Sequence, residues 1–174
     1  MYILYATREL GVEPSVLGVI AALGSCGALL GAMLAGRIMR WFGLGSTIIG
    51  AEFIGGIGVL LIPLASGSLI IAFPLLVTAT FLTGLGTVVY NVNQVSLRQA
   101  VVPTQLQGCL NASIRFIVYG TIPLGSLLGG VLGEVFGVRL TLFIGALGTL
   151  LACSWVFLSP VRMLREQPIS LESL

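Results

Sequence analysis

The stretch LIIAFPLLVTATFLTGLGTVVY, Leu69 to Tyr90, holds no charged side chain. An α-helix rises about 1.5 Å per residue, so roughly 20 residues cross the ~30 Å hydrocarbon core of a bilayer. This stretch has that length. Its apolar residues do not alternate with polar ones, as the strands of an outer-membrane barrel do. A helix also satisfies its own backbone hydrogen bonds, which lipid cannot do for it. The reading is therefore a membrane-spanning helix.

Working outward, Val16 to Ala35, Phe116 to Gly133 and Leu140 to Ser159 are equally free of charge, and Thr47 to Ala65 is broken only by Glu52. The expectation is an all-α membrane protein of five transmembrane helices, at about 15–36, 47–65, 69–98, 106–133 and 139–159. Residues 1–8 read as a helix stub, the end of a further helix. They are too short for a signal peptide, lack a basic start and meet Arg8 and Glu9 at once. Residues 1–160 then form a helical bundle and 161–174 a polar tail. Hydrophobic residues make up 57% of the chain and charged residues 8%, against roughly 25% charged in a soluble domain. Lipid, not water, is the solvent that suits such a surface.

All positive charge is arginine and all negative charge glutamate. Arg37 and Arg40 follow the first span, Arg98 the third, and Arg162 and Arg165 the last, with Arg115 on the same side. Arg8 and Arg139 lie opposite. The positive-inside rule puts the arginine-rich side in the cytoplasm. The expected topology is multi-pass in the plasma (inner) membrane, with the start outside and the C-terminus inside. A net charge of +2 is too small to imply nucleic acid. Histidine is absent, and the three cysteines show no paired spacing, so no metal site, disulfide framework or cofactor is expected. No nucleophile–base pair, paired carboxylates or phosphate-cradling loop points to an enzyme.

An internal repeat is visible. Leu29-Leu-Gly-Ala-Met-Leu-Ala-Gly36 resembles Leu127-Leu-Gly-Gly-Val-Leu-Gly-Glu134, and a Phe-Gly pair follows each, at Phe42-Gly43 and Phe136-Gly137. The first copy runs toward the cytoplasm and the second away from it, an arrangement found in inverted-topology transporters. Small residues recur every fourth position at Gly27 and Gly31, and again at Gly125, Gly129, Gly133 and Gly137. That spacing lets helix backbones approach closely in lipid.

Several segments together resemble the C-terminal half of a major facilitator superfamily transporter, nearest to its multidrug and macrolide exporter branch. Leu34-Ala-Gly-Arg-Ile-Met-Arg40 is similar to the family loop G-x-L-A-D-R-x-G-R-R, with Gly36 in place of its Asp. Tyr90-Asn-Val-Asn-Gln-Val-Ser-Leu-Arg-Gln-Ala-Val-Val-Pro103 and Leu106-Gln-Gly-Cys-Leu-Asn-Ala-Ser-Ile-Arg115 resemble the exporter branch, with Cys109 where an arginine is common. Gly120-Thr-Ile-Pro-Leu-Gly-Ser-Leu-Leu-Gly-Gly130 is similar to the antiporter motif G-x-x-x-G-P-x-x-G-G, with Pro123 displaced. The resemblance implies half of a twelve-helix bundle, with residues 1–8 as the end of its seventh helix. It also implies Arg37, Arg40 and Arg98 in a cytoplasmic gating loop, and Gly120, Pro123, Gly125, Gly129, Gly130 and Gly133 in helix packing and hinge motion.

Candidate site residues follow from polarity inside apolar runs. A carboxylate in lipid costs ~3 kcal/mol, so Glu52 should face protein or water. It is a protonatable coupling residue, a partner for an arginine, or a snorkelling or helix-start glutamate near the cytoplasmic face. Arg115 either pairs with an acid or substrate anion, or snorkels to the interface. Asn91, Asn93 and Gln94 either line a wet cavity or hydrogen-bond between helices. The functional expectation is secondary active transport, proton-coupled efflux of small amphipathic or drug-like molecules by alternating access. Its partners would be the bilayer, the small-molecule substrate, protons, and a missing N-terminal half or a partner chain. The alternatives are a truncated, non-transporting membrane fragment or structural partner, and a nutrient importer.

Overall fold

A computed structural model describes residues 2–65 and 69–158. Every regular element among them is an α-helix: α1 Tyr2–Arg8, α2 Pro14–Phe42, α3 Leu44–Leu64, α4 Leu69–Val101, α5 Thr104–Phe136 and α6 Val138–Leu158. Helices α2 to α5 are long and apolar enough to cross a membrane, while the apolar stretch described in α6, Val138–Ser154, is shorter. The turn expected at 66–68 and the tail at 161–174 lie outside the described residues.

Local chemistry sets the helix ends. Pro14 opens α2, where its missing N–H would have had no partner anyway. Helix α2 passes its expected end at 36 and carries Arg37 and Arg40 on its last turns, so these arginines stand on a helix rather than in a loop. It stops at Gly43, whose φ of +79° suits glycine, and whose N–H donates to the Met39 carbonyl at 2.9 Å. Helix α3 begins at the next residue. The Thr47 hydroxyl and N–H both donate to the Gly43 carbonyl, at 2.7 and 3.1 Å.

The second Phe-Gly pair repeats this device. Gly137 has φ +85° and ends α5, and α6 starts at Val138. Thr141 donates to the Gly137 carbonyl from its hydroxyl at 2.9 Å and its N–H at 3.2 Å. The two hinges lie at opposite ends of the bundle. Helix α3 runs from Leu44 to Leu64, and near its end the start of α6 meets it, through Arg139 on the Pro63 carbonyl. The repeat read in the sequence is thus a pair of helix–glycine–helix turns facing opposite ways.

Helix α4 forms the middle of the bundle, packed along α2 on one side and α3 on the other, while α6 covers another face of α3. Glycine makes the α2–α4 seam possible. A Cβ at Gly24 would come 2.7 Å from the Thr80 Cβ, one at Gly27 would strike the Phe81 carbonyl, and one at Gly31 would lie 2.9 Å from the Leu85 carbonyl oxygen. On the other side, a Cβ at Gly58 would lie 2.8 Å from the Ala79 carbonyl oxygen, and one at Gly86 would strike the Ala51 carbonyl. Helix α5 differs. It touches α6 and, at its start, α4, and its apolar face is left open.

A clamp closes the Gly137 end of the bundle. The last carbonyls of a helix have no partner within it. Here the buried Tyr5 hydroxyl donates to the Ala65 carbonyl at 2.6 Å and to the Pro63 carbonyl at 3.4 Å. Arg139 Nε donates to the same Pro63 carbonyl at 3.1 Å. Three helices, α1, α3 and α6, are tied at one point. Tyr5→Phe leaves the Ala65 carbonyl without that donor and is expected to cost about 1–2 kcal/mol. An SDS unfolding titration in mixed micelles, followed by circular dichroism, measures it. An unshifted midpoint would make the clamp energetically idle.

Candidate functional site

Glu52 lies roughly two turns into α3 and is partly buried. Glu9 and Glu13 stand outside the long helices, and Glu134 is exposed near the end of α5. Among the described residues, Glu52 is therefore the carboxylate set inside the bundle. Its neighbours on α3 meet both adjoining helices: Ala51 lies against Gly86 of α4, and the Ile49 carbonyl accepts from the Cys153 thiol of α6 at 3.9 Å. Among the described residues no ion pair joins an arginine to Glu52. The site is a partly buried carboxylate on the helix that packs against both α4 and α6.

The three amides do not act as one cluster. Successive residues of a helix turn by about 100°, so Asn91 and Asn93 face different ways. Asn93 is buried at 1% exposure, and its Nδ2 donates to the Val89 carbonyl at 2.8 Å. Asn91 is exposed and donates to the Thr87 carbonyl at 2.9 Å. Gln94 is partly buried, and its Nε2 donates to the Tyr90 hydroxyl at 2.8 Å. Only Gln94 bonds to another side chain, holding the phenol oxygen as an acceptor. That leaves the Tyr90 proton free to point elsewhere.

The remaining expected residues lie apart. Arg115 is exposed on α5, with no described contact to Glu52. Arg37 and Arg40 are exposed, and Arg40 in the last turn of α2 complements the helix dipole. Gly120, Gly125 and Gly130 have nothing within 4 Å of where a Cβ would stand. Gly129 and Gly133 are partly covered. Pro123 is exposed within α5, and its carbonyl accepts the Ser126 hydroxyl at 2.9 Å. Helix packing by glycine is seen in α2, α3 and α4, not on the open face of α5.

Two members of the site escaped the sequence reading. Tyr90 stood at the head of a quoted motif, and its spacing of four from Gln94 is the signal that pairs them on one helix face. Cys153 is one of the three cysteines whose spacing shows no pairing. It is buried at 3% exposure, and its Sγ donates to the Ile49 carbonyl at 3.9 Å, joining α6 to α3. Nothing local in the sequence marks that contact.

Chemically, the arrangement offers one partly buried carboxylate within the long helices. A family model described as Major Facilitator Superfamily matches residues 1–173. No curated protein and no solved structure matches the chain.

Proposed function

We propose, from the premise that the chain belongs to the Major Facilitator Superfamily, that it works in proton-coupled efflux of small amphipathic molecules by alternating access. Membership makes it part of a transporter family, and its long apolar helices make it a multi-pass membrane protein. The observation that carries the finer reading is Glu52, a partly buried carboxylate on α3, which packs against both α4 and α6. A charge held there is costly in a bilayer, so its protonation can bias how these helices pack. In this reading α6 is the fifth span, and the end bearing Arg40 and Arg98 faces the cytoplasm of the plasma (inner) membrane, with the tail on that side. The exporter branch and the C-terminal-half register rest on the quoted motifs.

The open face of α5 supports a further part of the reading. Setting Leu29–Gly36 on Leu127–Glu134 places Gly27 on Gly125 and Gly31 on Gly129. In the first copy those positions meet the backbone of α4, whereas Gly125 meets nothing. Setting the Phe-Gly pairs in register instead moves α5 by one turn and still places glycine on Gly31. A helix lying on α5 as α4 lies on α2 completes the symmetry. We assign it to a longer polypeptide carrying an N-terminal half, or to a partner chain. The rival reading, a non-transporting fragment or structural partner, draws on the same open face.

Proteoliposomes energised by a pH gradient decide between them. The expected result is accumulation of rhodamine 6G in vesicles with an acidic lumen, abolished when nigericin collapses the gradient. A folded protein that moves no dye in either gradient direction supports the structural reading. Movement only with the gradient reversed supports an importer.

A further inference from the structure

Helix α2 carries a second face besides its seam with α4. Gly24, Gly27 and Gly31 seat the helix on α4. Leu23, Leu30, Leu34, Arg37 and Trp41 follow one another at helical spacing and share another face. All of them are exposed, Trp41 to 80%. This face is apolar along its length and basic at the Gly43 end. From Leu34 back to Leu23 it extends about 16 Å. That is about half of the ~30 Å hydrocarbon core, the depth of one leaflet.

At the basic end Arg40 stands one turn beyond Arg37, and both are exposed. Side chains at that spacing are neighbours on a helix, with Cβ atoms roughly 5–6 Å apart, and like charges so placed repel. Among the described residues no carboxylate lies at this end to offset them. Glu9, Glu13 and Glu134 stand at the other end of the bundle, and Glu52 lies roughly two turns into α3. A guanidinium presents a planar fork of N–H donors that fits a phosphate. Trp41 has the amphipathic ring that sits at the headgroup level of a bilayer.

We infer that this face of α2 holds one anionic phospholipid. Its phosphate lies between Arg37 and Arg40, its glycerol beside Trp41, and an acyl chain along Leu34, Leu30 and Leu23. Two guanidiniums with no acid beside them select a headgroup of net negative charge. A zwitterionic headgroup would bring its own ammonium against them. The assignment rests on α2 crossing the membrane, not on the transport reading.

The chain has two tryptophans, Trp41 and Trp155, so Trp155→Phe leaves Trp41 as the reporter. The full chain with that change would be reconstituted in phosphatidylcholine bilayers without any gradient. Increasing amounts of phosphatidylglycerol or phosphatidylcholine would be added, each brominated near the glycerol end of one acyl chain to quench a tryptophan in contact with it. The expected result is quenching at a lower mole fraction by phosphatidylglycerol. Arg37→Gln and Arg40→Gln should each cut that preference about five-fold, and the double variant should remove it. Arg98→Gln, on α4, should keep it. Equal quenching by the two lipids overturns the proposal. So does an equal loss with Arg98→Gln, which would mean diffuse surface charge, or no quenching by either lipid, which would mean that protein covers the face. Preferential quenching in a protein that moves no dye would leave the lipid site standing while the transport reading fails. Dye transport without that preference would do the reverse.

Discussion

Gly27→Ala is expected to separate α2 from α4 and to cost about 2–3 kcal/mol of stability. The reason is what the new methyl would meet. At Gly24 the nearest atoms belong to a threonine side chain, but at Gly27 they are the carbonyl oxygen, carbonyl carbon and Cα of Phe81. A side chain can rotate away, whereas backbone within a helix cannot move without moving the helix. Helices in lipid gain little from the hydrophobic effect, so close backbone packing supplies much of their association. Losing that fit at the centre of the bundle therefore weighs more than the loss of one methyl-sized space. The control is Gly125→Ala on α5, where a Cβ meets nothing within 4 Å. There alanine should be neutral, or stabilising by up to about 1 kcal/mol through its helix propensity. SDS titration of both variants in mixed micelles, followed by circular dichroism, measures the difference. Equal midpoints would mean the α2–α4 seam is looser than its geometry.

The long helices were legible because their cause is local. Leu69 to Tyr90 carries no charge, and that alone demands a helix in lipid. The repeat was legible too, and its function proved sharper than its wording. Both Phe-Gly pairs stop a helix with a positive-φ glycine, and each glycine carbonyl is then held by a threonine four residues on, Thr47 or Thr141. That Gly-x-x-x-Thr signal stands in the sequence but gains meaning only once the turn is seen. The end of α2 was misplaced because arginines were read as loop residues, while Arg37 and Arg40 extend from a helix that ends only where Gly43 permits. The site was legible in part. Glu52 announced itself as a charge in an apolar run. Its neighbours did not, because Tyr90 and Cys153 stand on α4 and α6, across two helix interfaces that no spacing along one helix encodes. The split of Asn91 from Asn93 was readable from helix geometry. The clamp of Tyr5 and Arg139 on Pro63 was not, since it joins residues 58 and 76 positions apart.

Glu52→Gln should remove the pH-driven part of transport while leaving the bundle folded. Glutamine keeps the shape of the protonated acid and cannot become charged, so it freezes the site in one of its two states. Placing the charged form in lipid costs about 3 kcal/mol, which corresponds to roughly a hundredfold in an equilibrium. That is enough for protonation to choose between two packings of α3 against α4. It also sets the ceiling on the effect, and a fall in initial efflux rate of at least about tenfold is expected. Exchange of dye between the two sides with no gradient should continue, since it needs no net proton movement. Tyr90→Phe separates the carboxylate from its surroundings. It removes the oxygen that accepts from Gln94, so it should shift the pH dependence of efflux without abolishing it. If Glu52→Gln pumps dye at the wild-type rate across the whole pH range, Glu52 is a structural carboxylate. The proton path would then have to run through another part of the transporter.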